Sequence, residues 1–280
     1  MTRARAILIA ALAIALIALV GCGGGGAGAS GSRTTASGTM ILATTTSTRD
    51  SGLLDVLIPA FERASKCQVK TLAVGSGDAL RLGERGDADV LLVHSPAAEE
   101  AYVRGGHAVS RLAVMHNDFV LVGPPSDPAG ITGAADAPTA LRRIAQTREP
   151  FISRGDDSGT NVKELALWKM AGIKPRGDWY VETGQGMGET LTVASQKRGY
   201  TLSDRGTFLA TKNLDAKIFV QGGAALQNPY HVIVVRHQGT NIGCAKAFSS
   251  WITSAPTQRT ISRFGVAQYG QPLFHPDARR

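Results

Sequence analysis

Two stretches of small hydroxyl and glycine residues in this chain have the types and spacing to bind an anion. Thr44-Thr45-Thr46-Ser47 follows the apolar run Met40-Ile41-Leu42-Ala43, and Ser153-Arg154-Gly155-Asp156-Asp157-Ser158-Gly159-Thr160 follows Pro150-Phe151-Ile152. In both, a strand is expected to end and an amphipathic helix to begin at once. A helix start exposes unpaired backbone N–H groups at the positive end of its dipole. Ser and Thr add neutral donors that approach closely, and Arg154 adds a forked cation suited to oxyanions. The pair of turns predicts two walls presenting helix ends to one shared anion.

The elements that would position them alternate along the chain. Expected strands are Met40–Thr44, Val69–Val74, Asp89–His94, Phe119–Val122, Phe151–Ser153, Trp179–Glu182, Lys217–Val220 and His231–Val235. Leu53, Leu54, Leu57, Ile58 and Phe61 share one helical face, with Pro59 expected to kink that helix or open another. Val162, Leu165, Ala166 and Met170 mark the helix after the second turn. Such alternation predicts an α/β fold with mostly parallel sheets flanked by helices, whose binding sites lie beyond the carboxyl ends of the strands. Val120–Pro125 reads as a crossing between two lobes and Asn228–His231 as the return. The expected division is lobe I at 39–120 and 231–280, lobe II at 121–230, and a two-strand hinge.

The N-terminal residues read as a targeting segment. Arg3 and Arg5 precede an apolar run from Ala6 to Val20 that is too short for a typical span. Leu19-Val20-Gly21-Cys22 resembles the bacterial lipobox, so residues 1–21 are expected as a lipoprotein signal peptide, with Cys22 lipidated. A plain signal peptide or an uncleaved anchor is the alternative. Residues 22–38, rich in Gly, Ser and Ala, read as a flexible tether.

The chain has 30 Lys+Arg, 22 Asp+Glu and a formal charge of +8. Without residues 1–21 the balance is 28 against 22, or +6. The basic residues are scattered, with no long run and no interleaved aromatics, which argues against nucleic acid and suits an anionic solute. In an oxidising compartment Cys67 and Cys244 could pair, the alternative being two buried thiols. The six histidines show no metal-ligand spacing, and no metal is expected.

The ordered motifs ILATTTSTRDSGLLDVLIPAFE, VGSGDALRLGERGDADVLLVHSP, FISRGDDSGTNVKE, WYVETGQGMGETL and YTLSDRGTFLA resemble the substrate-binding proteins of tungstate-type ABC importers. These belong to the type II periplasmic binding proteins. The resemblance runs from about Met40 to Phe264. It implies two α/β lobes closing on one dehydrated tetrahedral oxyanion, tungstate or molybdate, with no cofactor. It further implies ABC permease and ATPase partners. The lipobox separately predicts a location outside the cytoplasmic membrane, anchored through a lipid on Cys22, and a monomer is expected. Carried over by motif, Thr45, Thr46, Ser47 and Ser76 line one wall, and Arg154, Ser158, Gly159 and Thr160 the other.

Competing readings follow from the same residues. Thr45, Thr46 and Ser47 could be an ordinary helix cap, and Arg154 a surface cation paired with Asp156 or Asp157. Those two acids also leave room for a phosphate- or sulfate-binding protein of this fold, since phosphate can donate a proton to a carboxylate. Gly184-Gln185-Gly186-Met187-Gly188 lacks dinucleotide spacing and reads as a strand–helix turn. Asp204 and Arg205 are expected to cap a helix and pair locally. An exported hydrolase using Ser47 or Ser158 lacks a G-x-S-x-G motif and an evident base, so no enzyme activity is expected.

Overall fold

The computed structural model describes residues 36–278. The signal segment, Cys22 and nearly all of the expected tether lie outside them. Ser37 and Gly38, expected in the tether, instead open the first strand, where they pair with Lys66 and Cys67.

The chain begins β1 (Ser37–Thr45), α1 (Thr46–Asp50), α2 (Leu53–Ala64), β2 (Lys66–Val74), α3 (Ser76–Arg85), β3 (Val90–Val93) and α4 (Pro96–Arg104). A long strand, β4 (Ala108–Gly123), leads to α5 (Ala137–Thr147), β5 (Phe151–Ser153), α6 (Gly159–Met170), β6 (Tyr180–Glu182) and α7 (Met187–Gln196). Next come β7 (Thr201–Asp204), α8 (Arg205–Ala210), β8 (Lys217–Gln221) and β9 (Gln227–Val235). The chain closes with α9 (Ile242–Ile252), α10 (Ala255–Arg263), α11 (Val266–Tyr269) and β10 (His275–Pro276).

Parallel pairing joins β1 to β2 and β3, and β5 to β6. The other pairs are antiparallel: β4 with β9, β7, β8 and β10, and β3 with β9. β4 belongs to two sheets in succession. Up to Asp118 it pairs with β9, and from Phe119 it pairs with β7 and β8. β4 thus changes partners at Asp118–Phe119, and β9, starting at Gln227, rejoins its first part.

Alternating side chains of each sheet feed separate cores, as the two-residue period of a strand requires. Met40 and Leu42 of β1 pack with Leu53, Leu57, Phe61 and Phe248, while Ala43 packs on the opposite face with Leu80, Leu91 and Ile233. Beyond the crossing, Phe119 and Leu121 join Trp168 and Tyr200, and Val120 and Val122 join Met187 and Leu191. Cys67 of β2 and Cys244 of α9 are joined by a disulfide inside the first of these cores.

Two helices differ from expectation. Pro59 lies within a continuous α2, and the break comes earlier, where Gly52 takes the left-handed conformation at φ 78°. In α6 the apolar residues Val162, Leu165 and Met170 face solvent, Met170 at 60% exposure, and the buried face is Thr160, Asn161, Glu164, Leu167 and Trp168. Polar residues sit inside because Glu164 accepts hydrogen bonds from Ser153 (2.6 Å), Tyr180 (2.8 Å) and Trp168 (3.0 Å).

Candidate oxyanion site

Four helix N-termini meet where the two hydroxyl-rich turns were expected. Thr45 caps α1, its Oγ1 accepting from the Thr48 amide, and Ser158 caps α6 through the Asn161 amide. Gly75 and Gly186 precede α3 and α7 without any side-chain cap, which leaves first-turn amides of those helices to other acceptors.

The turns are packed against each other. A Cβ placed on Gly75 would lie 3.5 Å from the Ser158 Cα, and one on Gly77 3.5 Å from the Asp157 carbonyl oxygen. Gly159 is tighter still: its Cβ would stand 3.1 Å from Ser76 Oγ, His94 Nδ1 and the His94 carbonyl oxygen. Gly186, from the second glycine-rich turn, lies against Thr46, with 3.6 Å from its would-be Cβ to Oγ1. Thr46, Ser47, Ser76, Arg154, Ser158, Gly159 and Thr160 therefore gather in one region, with Thr45 immediately behind the α1 turn.

Arg154 is buried at 3% exposure. It is not the surface cation of the competing reading, although it does pair with Asp156 at 2.6 Å. Its other terminal contacts, to Ser47 Oγ at 3.5 Å and Thr46 Oγ1 at 3.4 Å, are long and weak. Three buried donors of the region have no hydrogen-bond partner among the described residues: Arg154 Nε, Ser76 Oγ and Thr160 Oγ1. A buried polar group left unpaired costs about 1–3 kcal/mol, and an acceptor shared by all three would recover that cost. One guanidinium, two hydroxyls and helix-start amides form a donor set for a compact anion with several oxygens.

The buried histidine of this region supplies no second cation. Burial pushes the His94 imidazole down to about 4, so it is neutral at physiological pH. Burial also raises the Asp204 carboxyl, and that of Asp50 with a contribution from the neighbouring Glu189. Asp204 caps α8 through the Thr207 amide at 2.9 Å. Arg205 does not pair with it, instead forming a forked pair with Asp118 of β4 at 2.7 and 2.6 Å.

Glu164 supports the site from behind by holding Ser153, the residue before Arg154. Burial pushes its carboxyl from 4.5 up to about 7, against the pull of its three donors. A carboxyl raised on folding contributes stability that is complete below its unfolded value and is lost as pH rises through the folded one. Glu164→Gln should therefore remove a fall in stability between about pH 4.5 and 7, on the order of 2–3 kcal/mol. Denaturant unfolding of both chains across that range measures it; parallel pH profiles would contradict the assignment.

His94, Asn117, Asn228 and Glu164 are residues of this region that the motifs did not reveal. His94 follows the fully buried Val90–Val93 run, and a polar residue just past the carboxyl end of a central strand is the signal that could have found it.

Comparison with known proteins gives the family. Residues 28–256 match the model of the PBP superfamily domain. A tungstate-binding protein TupA from Peptoclostridium acidaminophilum is 48% identical over 254 residues, covering 89% of each chain. The chain belongs to this family of PBP-superfamily solute-binding proteins. Two solved structures lie near this family member. One is described as the tungstate ABC transporter from Geobacter sulfurreducens, with TM-score 0.75 and 47% identity over 81% of this chain and 98% of that one. The other is the tungstate-binding protein TupA from Desulfovibrio alaskensis G20, with TM-score 0.71 and 42% identity over 86% and 99%.

Proposed function

We propose that this chain captures a tetrahedral oxyanion, tungstate first and molybdate next, and delivers it to the permease and ATPase of an ABC importer. The observation that carries the reading is the trio of buried, unpartnered donors on Ser76, Arg154 and Thr160, set among uncapped helix starts. Neutral donors bind a dianion without a full buried counter-charge, and Arg154 offsets part of it. The names of the relatives supply the metal.

In this reading lobe I comprises the β1–β2–β3–β9 side with the first part of β4, and lobe II the segment between the crossing and the return. The anion touches both, so it favours the closed pair of lobes by binding them better than the open one. Cys22 would carry the lipid that holds the protein outside the cytoplasmic membrane, working as a monomer.

The phosphate alternative needs a carboxylate that takes the proton of hydrogen phosphate. Asp156 already accepts from Arg154 and from the Ser158 amide at 3.2 Å, so the proton of hydrogen phosphate would share its oxygens with those donors. The hydrolase alternative needs a base on Ser47 or Ser158. Ser158 accepts from the Asn161 amide and Ser47 from Arg154, while His94 bonds Thr45 and Asn228. The relatives are binding proteins, and the chemistry is capture rather than catalysis.

A thermal-shift series with tungstate, molybdate, sulfate and phosphate tests the ligand. Tungstate at about 100 times its Kd adds about 2.7 kcal/mol, which for a chain of this size means a Tm rise of roughly 5–10 °C. Sulfate and phosphate at the same concentration should leave Tm unchanged. A shift with phosphate or sulfate alone would reassign the ligand within the same site.

A further inference from the structure

We propose that His94 is a positioning residue that takes the hydroxyl proton of Thr45 and so ties the start of α1 to the strand crossing at Asn117 and Asn228. Its functional consequence rests on the oxyanion reading, because α1 forms one wall of that site. Thr45, expected from the sequence as an anion donor, then has no proton left to give.

The direction of every bond follows from Asp204. Its Oδ1 accepts the Thr207 amide at 2.9 Å, so even a protonated carboxyl would carry its proton on Oδ2. Asn117 turns its Nδ2 to Asp204 Oδ1, a long contact at 3.4 Å, and its Oδ1 to Asn228, whose Nδ2 stands 2.7 Å away. Asn228 donates to that oxygen at 2.7 Å and to Tyr230 Oη at 3.2 Å, which leaves its own Oδ1 facing His94 Nδ1 at 2.8 Å. Nδ1 must carry the proton, and Nε2 is then a lone pair facing Thr45 Oγ1 at 3.1 Å. Thr45 donates to it and accepts from the Thr48 amide and hydroxyl at 3.2 and 2.7 Å.

The residues of this chain, from Thr48 to Asp204, are all buried. The imidazole stacks on Tyr230 with centroids 4.6 Å apart, and His94 also forms the wall against which Gly159 of α6 seats. Burial keeps the ring neutral at physiological pH, so Nε2 stays an acceptor. One side chain thus touches the α1 cap, the crossing strands and the start of α6. Anion donors on the α1 wall are then Thr46, Ser47 and backbone amides.

Two measurements on the full chain test this. Nitrogen-15 NMR of the imidazoles, assigned with His94→Phe, should show the His94 proton on Nδ1 at neutral pH without ligand; a proton on Nε2 overturns the proposal. Calorimetry with tungstate should find His94→Gln, which keeps an acceptor for Thr45, within about threefold of the unchanged chain. His94→Asn keeps only the donor toward Asn228 and should bind about tenfold more weakly. Equal affinities, or the reverse order, would overturn it. Failure of the unchanged chain to bind tungstate would defeat the oxyanion reading instead, and the tautomer would still decide whether Thr45 donates to His94. It also decides if the variants do not fold.

Discussion

Arg154→Gln should weaken tungstate binding by about 10²–10³-fold, the largest effect expected of any single substitution in this chain. Removing one partner of a buried charged hydrogen bond costs about 2–5 kcal/mol. Among the described residues Arg154 is the only buried Lys or Arg, and its Nε has no hydrogen-bond partner there. The folded chain itself should lose no more than about 1–2 kcal/mol. Asp156 loses its cation but keeps the Ser158 amide, and at 19% side-chain exposure it still reaches water. Arg154→Lys keeps the charge without the fork, so it should fall between the two. Calorimetry gives the affinities and a denaturant curve the stability. Unchanged affinity in Arg154→Gln would remove the guanidinium from the site.

Breaking the Cys67–Cys244 bond should produce the largest loss of stability without touching the ligand. The bond closes a loop spanning 177 residues, from β2 near the start of the fold to α9 near its end. Loss of a native disulfide typically costs about 2–5 kcal/mol, which corresponds to a Tm lower by roughly 5–15 °C. Both sulfurs lie within the core of Leu53, Phe61 and Phe248, so the double variant Cys67→Ala, Cys244→Ala is preferred to serine, which would bury two hydroxyls. Thermal melts of oxidised, reduced and double-variant chains should show the same drop in the last two. Tungstate affinity should be unchanged at temperatures where both remain folded, because both cysteines pack within the core of Leu53, Phe61 and Phe248. Equal melting of oxidised and reduced chains would show that the bond contributes nothing.

Much of the site was legible because its parts are local. Thr44–Ser47 and Ser153–Thr160 each combine a buried strand end with a helix start, where hydroxyls either accept from free N–H groups or offer donors of their own. The strands that were missed are those whose residues do not read as apolar. β4 carries Ser110, Arg111, His116, Asn117 and Asp118 through its first part, which pairs with β9, meets β10 only at Met115–His116, and is only partly buried. β7, Thr201–Asp204, is fully buried yet polar at three of four positions, with hydroxyls satisfied by backbone carbonyls. The buried face of α6 is polar for a related reason. Glu164 and Asn161 are buried to hold Ser153, so the apolar stripe marks the solvent side. His94 was passed over because a lone histidine carries no spacing. Its role appears only when Asn228, 134 residues away, comes to 2.8 Å.

The most direct test of the central claim is a crystal structure of the tungstate-bound chain, with anomalous scattering measured at a tungsten absorption edge. The expected result is one strong peak per chain, with tungstate oxygens within hydrogen-bond reach of Ser76 Oγ, Thr160 Oγ1 and the Arg154 guanidinium. A peak elsewhere, or none with tungstate in large excess, would contradict it.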